Sequence, residues 1–409
     1  MLPHTLVNKW VKSLLVLSIL TYLLFISKTV SLRGADDDQV FLSIFNSGHI
    51  IDILVHRFNS WSGRFSLELL MTSTIGYPIL WEVGIPISVA AVCYSCSKIS
   101  GFRPTVVPFA FALILFATMP YQINIDASWW ITGFYNYLLP TAVALYVFSV
   151  CYSGEGGSFK KIVCALLCFY FPYMEQAGLA FVVAMIFFIC YQGRMLSRFN
   201  LVITLLVIIN LIICLKAPGN EKRFALEVWR WYPQYQTYGL INKLSLGFDK
   251  LHQLMTFRYN IPLIALMISA FYVRCSYSGM RNSTKCALFI IATFISISIA
   301  NSLTGLFSGG FIFNSATVDA TRWSAGKVYI SYFYIFAVIS SLFLVLIDLV
   351  MNAKSNCTPI IAMLIGFMTV TMLGLSPTVY ASGYRVDFIF EIMCIISCMS
   401  IISSSANGK

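Results

Sequence analysis

The sequence predicts an all-α, polytopic transmembrane helical bundle of about twelve segments, and three observations predict it. Of the 409 residues, 59% are hydrophobic and only 11% are charged, against roughly 25% charged in an average soluble domain. Apolar runs recur along the whole chain, many of them near the length that crosses a bilayer. The basic residues fall in short clusters between those runs rather than along one exposed stripe, so membrane orientation accounts for the net charge of +11 and nucleic acid is excluded as a partner.

The first run, Trp10 to Val30, follows Lys9 and Lys12 and lacks a small-x-small cleavage pattern. It reads as an uncleaved anchor with a cytoplasmic N-terminus, although Lys28 and Arg33 at its far end weigh against that orientation. Further spans are expected at approximately 83–97, 104–120, 138–152, 162–172, 176–192, 199–215, 261–273, 286–303, 327–347, 359–375 and 388–403. Alternate loops carry Lys98 and Arg103, then Lys160 and Lys161, Arg194 and Arg198, Arg274 with Arg281 and Lys285, and Lys354, against the acids Glu155 and Asp348. Positive charge is retained in the cytoplasm. The alternation holds only if residues 162–192 cross twice or re-enter, with Pro172 and Glu175 at the turn. The first arm would give roughly 16 Å of helix, too short for a hydrocarbon core of about 30 Å. A hairpin of short or broken helices around a hydrated cavity is the expected solution.

This alternation leaves 31–82, 121–137, 172–175, 216–260, 304–326 and 376–387 facing outward, with nearly all the acids and most of the Trp. Residues 1–409 are therefore expected to form a single transmembrane domain with no soluble domain, with 31–82 and 216–260 as long periplasmic loops. Arg64 to Trp81 should pack as one or two interfacial helices, since Phe65, Leu69, Leu70 and Trp81 are interspersed with Glu68, Thr72 and Ser73. Trp229, Trp231, Tyr232, Tyr235 and Tyr238 give 216–260 the same character. The twelve cysteines lie almost entirely in apolar runs or cytoplasmic loops, Cys93-x-x-Cys96 closing one run, so neither a structural disulfide nor a zinc site is expected.

Three outward segments could carry chemistry. Asp36, Asp37 and Asp38 follow the first span; three adjacent carboxylates can raise one another's pKa, bind a cation, supply a base, or merely form a solvated cap. Between Asp126 and Tyr137, Trp129, Trp130, Tyr135 and Tyr137 offer flat faces for the C–H side of a sugar ring, and Thr132 and Asn136 offer bonds to its hydroxyls. An aromatic belt is the plainer account, but a belt does not require the polar residues between the rings. Ala217-Pro-Gly-Asn220-Glu-Lys222-Arg223 ends a span at a helix break with two cations that could hold a phosphate. Arg64, Arg322 and Arg385 with Asp387 add positive charge on the same face. Glu175 and Glu391 lie near or within apolar runs, where a carboxylate implies a cavity or a partner. His49 and His56 read as interfacial polar residues, and no residue is assigned to a metal.

With these residues in view, the chain resembles the multi-spanning, serotype-converting O-antigen glucosyltransferases of enteric bacteria and their phages, and a related family of bacterial integral membrane proteins. The resemblance rests on ADDD after the first span, WSGRF, WWITGFYNYLLP, the EQ at Glu175, APGNEKR and ATRWSAG. It implies a GT-C-like fold in the bacterial inner membrane and inverting transfer of a hexose, with glucose the expected sugar, on the periplasmic face. The donor would be a polyprenyl-phosphate-linked sugar and the acceptor O-antigen or another surface glycan. A flippase and a donor-synthesising glycosyltransferase are implied partners, besides membrane lipid. Asp37 or Asp38 would deprotonate the acceptor, with Asp36 beside them. Arg64, Arg223, Arg322 and Arg385 would stabilise the leaving phosphate, and Trp129, Trp130, Asn136, Glu175 and Asn220 would complete the substrate site. The resemblance fixes no cofactor, and a divalent cation is the one that the acidic triplet admits. The rivals are an O-antigen polymerase and a polysaccharide flippase or transporter, the latter suggested by broken spans but opposed by the absence of an internal repeat.

Overall fold

The computed structural model describes residues 4–154, 157–192, 196–307, 326–352 and 356–407, and every described element is helical. Contacts gather the chain into two compact units, one of residues 1–114, 122–226 and 384–388, the other of 115–121, 227–383 and 389–409.

The first unit begins with α1 (His4–Thr29), three short helices α2 (Asp37–Ser47), α3 (Ile50–Ser60) and α4 (Phe65–Thr74), and the long α5 (Pro78–Ile99). Next come most of α6 (Val106–Ala117), a helix bent by 98° into α7 (Tyr121–Ala127) at the break that holds Pro120, then most of α7 and α8 (Ile131–Gly133), which runs through a π-helical turn, Phe134–Leu138, into α9 (Leu139–Ser153). It continues through α10 (Ser158–Leu167), α11 (Glu175–Gln192), α12 (Arg198–Leu215) and most of α13 (Pro218–Trp231). Local chemistry sets the ends: Ser197 caps α12 by accepting from the Asn200 amide, Pro78 opens α5, and left-handed Gly48 and Gly154 close α2 and α9. α5 against α9 is the principal packing, with α1 leaning on α5 and α11 on α12.

The second unit holds α14 (Leu240–Met255), α15 (Ile261–Cys275), α16 (Asn282–Thr304), α17 (Gly326–Asn352), α18 (Thr358–Thr371) and nearly all of α19 (Phe388–Asn407). α16 packs on α17, and α14 lies against α18 and the 3-10 turn that follows it. Arg274 of α15 is fully buried, donating to the Asp348 carboxylate of α17 and, at 3.0 Å, to the Tyr277 carbonyl.

Eight helices among the described residues are long and apolar enough to cross a membrane, nine if the bent α6–α7 pair is one span, which makes this a membrane-embedded helical protein. Twelve crossings were expected. A helix occupies each expected segment, but α10, α11 and α15 fall short of spanning length and 104–120 is broken at the bend. α10 has ten residues, about 15 Å, and a 3-10 turn over Phe171–Tyr173 separates it from α11.

The stretch expected at the interface is more deeply packed than its pattern suggests. Arg64 to Trp81 folds as α4 and the first turn of α5, and α4 buries Leu67, Glu68, Met71 and Thr72. Arg57 makes that burial tolerable by gripping Glu68 with two hydrogen bonds, 2.8 and 3.0 Å. In 216–260 the expected amphipathic character is visible: Trp229, Trp231, Leu240 and Ile241 are exposed, while Tyr235 packs with Val228, Leu246 and Val379.

Candidate functional site

Five of the six segments singled out in the sequence lie in the first unit; the sixth, ATRWSAG with Arg322, lies outside the described residues but for its final glycine. Their side chains interlock in two clusters.

The first cluster forms around the start of α2. Helical geometry turns successive side chains by about 100°, so the three aspartates face three environments. Asp38 is 0% exposed. Its Oδ2 accepts from the Arg33 amide at 2.9 Å, and its Oδ1 accepts from the Thr132 amide at 2.9 Å and the Thr132 hydroxyl at 2.6 Å. Asp37 is exposed and makes no hydrogen bond among the described residues. Asp36 precedes the helix with φ 154° and ψ −170°, backbone space that favours glycine and costs a side-chain-bearing residue about 1–3 kcal/mol. Its carboxylate lies 3.8 Å from Arg33. Arg33 also bonds the Ile125 carbonyl and the Asp126 carboxylate, at 3.1 and 3.2 Å.

Trp130 completes this cluster. It is 4% exposed, and two guanidiniums lie over its ring, Arg33 at 4.8 Å and Arg385 at 4.9 Å from the centroid. A ring so covered is not open to stack on a sugar, which corrects that part of the expectation. Its indole Nε1 and the Arg385 Nε are both buried without a hydrogen-bond partner among the described residues. Trp129 is half-buried, its amide donating to the Asn124 carbonyl at 3.0 Å. Asn136 lies in the π turn, 8% exposed, with its amide given to the Thr132 carbonyl at 2.9 Å.

The second cluster joins WSGRF, Glu175 and APGNEKR. Arg64 and Glu175 form a forked ion pair, with contacts of 2.8 to 3.2 Å. Burial by itself would push Glu175 up; Arg64, and with it Arg223, reverses this and holds its carboxyl below the usual range. Asn220 accepts from the Gly63 amide at 3.0 Å and donates to the Cys214 carbonyl at 2.7 Å, so it clamps two backbones together. Gly63 and Gly219 permit that approach: a Cβ on Gly63 would lie 2.0 Å from the Cys214 carbonyl oxygen, and one on Gly219 2.4 Å from the Trp61 amide nitrogen. Arg223 lies over the Trp61 ring at 5.4 Å. The clusters connect through α4 and the π turn, where Thr74 and Tyr135 hydroxyls are 2.6 Å apart and Tyr170 donates to the Tyr135 carbonyl at 3.1 Å.

In the second unit Glu391 is 0% exposed and accepts from Asn260 at 2.7 Å. Sequence reasoning missed a polar group on α14: Asp249 accepts from the Tyr332 and Tyr380 hydroxyls, Lys250 donates to the Gly383 carbonyl at 3.1 Å, and His252 Nε2 meets Ser331 Oγ at 2.7 Å. Burial drives His252 down to about 3, so it is neutral. The available signal was the closely spaced Asp249, Lys250 and His252, ionisable side chains within an otherwise amphipathic helix. Among the described residues no three His, Cys, Asp or Glu side chains converge as a metal would need. Comparison with protein-family models, curated proteins and solved structures returned no match.

Proposed function

We propose that the protein is a GT-C-type glycosyltransferase of the bacterial inner membrane, moving a hexose, glucose by the resemblance, from a polyprenyl-phosphate carrier to O-antigen or another surface glycan on the periplasmic face. One observation carries the reading: sequence segments from Asp36 to Arg385 gather in one compact unit, where Arg33 and Arg385 lie over Trp130 and the acidic triplet, anchored to Thr132 through Asp38, leaves one exposed carboxylate, Asp37, uncommitted.

In this reading Asp37 takes the proton of the acceptor hydroxyl. The acceptor oxygen bonds to the anomeric carbon from the face opposite the carrier, and the bond to the carrier oxygen breaks with its electron pair left on the lipid phosphate. Arg385 meets that growing charge. Asp38 is a positioning residue, because its oxygens already hold three donors and it is fully buried. Arg64 and Glu175 neutralise one another, and with Asn220 they hold the framework.

The test is transfer by purified protein in nanodiscs. Polyprenyl-phosphate-glucose should glycosylate an O-antigen acceptor, UDP-glucose alone should not, and Asp37→Asn should lower turnover at least a hundredfold with the protein still folded. Efficient transfer from UDP-glucose, or normal turnover by Asp37→Asn, would overturn the reading.

A further inference from the structure

Buried polar groups in folded proteins almost always find a partner, and an orphaned donor costs about 1–3 kcal/mol. Trp130 and Arg385, whose side chains lie against one another, each present such a donor. The indole Nε1 and the guanidinium Nε are buried and unpartnered among the described residues, and the ring centroid and the guanidinium carbon are 4.9 Å apart. Trp130 is held rigidly: its carbonyl accepts from the Phe134 amide at 2.7 Å, and Arg33, tied to Asp126, lies over its ring. The missing partner must accept hydrogen bonds. Arg33 is already paired with Asp126 and Asp36, whereas Arg385 makes no ion pair among the described residues, so its charge favours an acceptor that is also an anion.

We propose that the Trp130 and Arg385 N–H groups form a two-donor site for the phosphate oxygens of a polyprenyl phosphate, with Trp130 serving as a hydrogen-bond donor and not as a platform for the sugar. The choice of ligand rests on the proposed transferase reading; the donor pair itself does not. Arg385 supplies charge and one N–H, Trp130 supplies a directed neutral N–H, and Arg33 keeps the ring in place. An indole donor is specific in a way that lysine is not, because it cannot follow a phosphate that shifts.

The experiment reads binding without turnover. Full-length protein labelled with ¹⁵N-tryptophan in nanodiscs should show one indole resonance, absent in Trp130→Phe, that moves downfield when a polyprenyl phosphate is added. A neutral polyprenol should not move it. Trp130→Phe keeps an aromatic ring beneath the guanidiniums and removes the N–H together with the pyrrole half of the indole, so it should weaken lipid-phosphate binding at least about tenfold, and Arg385→Gln should weaken it further. If inorganic phosphate moves the resonance and the lipid phosphate does not, a free anion is the ligand and the lipid assignment falls. If no phosphate moves it, the site is overturned, a result that the wild-type protein gives even where Trp130→Phe fails to fold. Loss of the shift with sugar transfer intact would sink this inference alone. A shift in a protein that transfers no sugar would sink the transferase reading and leave the lipid-phosphate site standing.

Discussion

Replacing Asp38 with alanine tests whether the acidic triplet divides its labour. The substitution removes the acceptor from three donors, at 2.9, 2.9 and 2.6 Å, in a place with no solvent access. Hydrogen bonds to a charged acceptor contribute roughly 1.5–3 kcal/mol each, and a buried donor left alone costs about 1–3 kcal/mol. Because the three share one carboxylate their effects do not add, and a loss on the order of 5 kcal/mol is expected for the junction of α2 with α8. In domains of about 150–250 residues each kcal/mol moves the melting midpoint by about 2–4 °C, which gives a fall on the order of 10–20 °C. Asp37→Ala removes only an exposed carboxylate from the first turn of α2, a helix-dipole contribution of about 0.3–1 kcal/mol. Thermal unfolding of both variants, purified in the same detergent and followed by tryptophan fluorescence, checks the contrast. An Asp38→Ala protein that melts within a degree or two of wild type, or an Asp37→Ala protein that loses as much, would refute the division.

Glu175→Gln leaves the Arg64 guanidinium without its counter-charge; both side chains are about a quarter exposed, so a loss of about 2 kcal/mol is expected, smaller than for a fully buried pair. The Glu175 carboxyl is held below its ordinary value, so its stabilisation is complete above that value and fades only as pH falls through the lowered one: the melting midpoint should owe no slope to this pair between about pH 5 and 8, measured as the difference between wild type and Glu175→Gln. Gly63→Ala and Gly219→Ala each drive a Cβ into neighbouring backbone that cannot rotate away, and neither variant should yield monodisperse protein on size exclusion. An impermeant thiol reagent applied to spheroplasts should label cysteines placed at Gln39 and Lys222 but not at Ser158 or Asn282, all exposed positions; the reverse pattern would put the aspartates in the cytoplasm.

The helices were legible because an apolar run in a bilayer has little choice but to be helical, and a helix stands at every range where hydropathy predicted one. Length was harder to read. The break at Pro120 and the 3-10 turn at Pro172 divide apolar sequence into pieces that cannot span alone, and a hydropathy pattern registers apolarity without direction. The polar group of Asp249, Lys250 and His252 stayed hidden because α14 is amphipathic enough to look interfacial, whereas these three residues are buried.

Within the candidate site the sequence picked out the right neighbourhoods for interlocking but not the part each residue plays in it. Three identical aspartates carry no mark to separate a buried anchor from an exposed acid; only the start of α2 at Asp37 and the register of Thr132 on α8 do that. Motif residues also spend much of their bonding capacity on one another: Arg64 on Glu175, Asn220 on Gly63, Asn136 on its own turn. A residue whose donors and acceptors are all committed has little left for a substrate unless the structure opens. By that criterion the chemistry falls to groups with capacity unspent, the carboxylate of Asp37 and the N–H donors of Trp130 and Arg385. A base and an anion site are what the proposed inverting transfer from a lipid phosphate would require, and these are the groups that could fill the two roles.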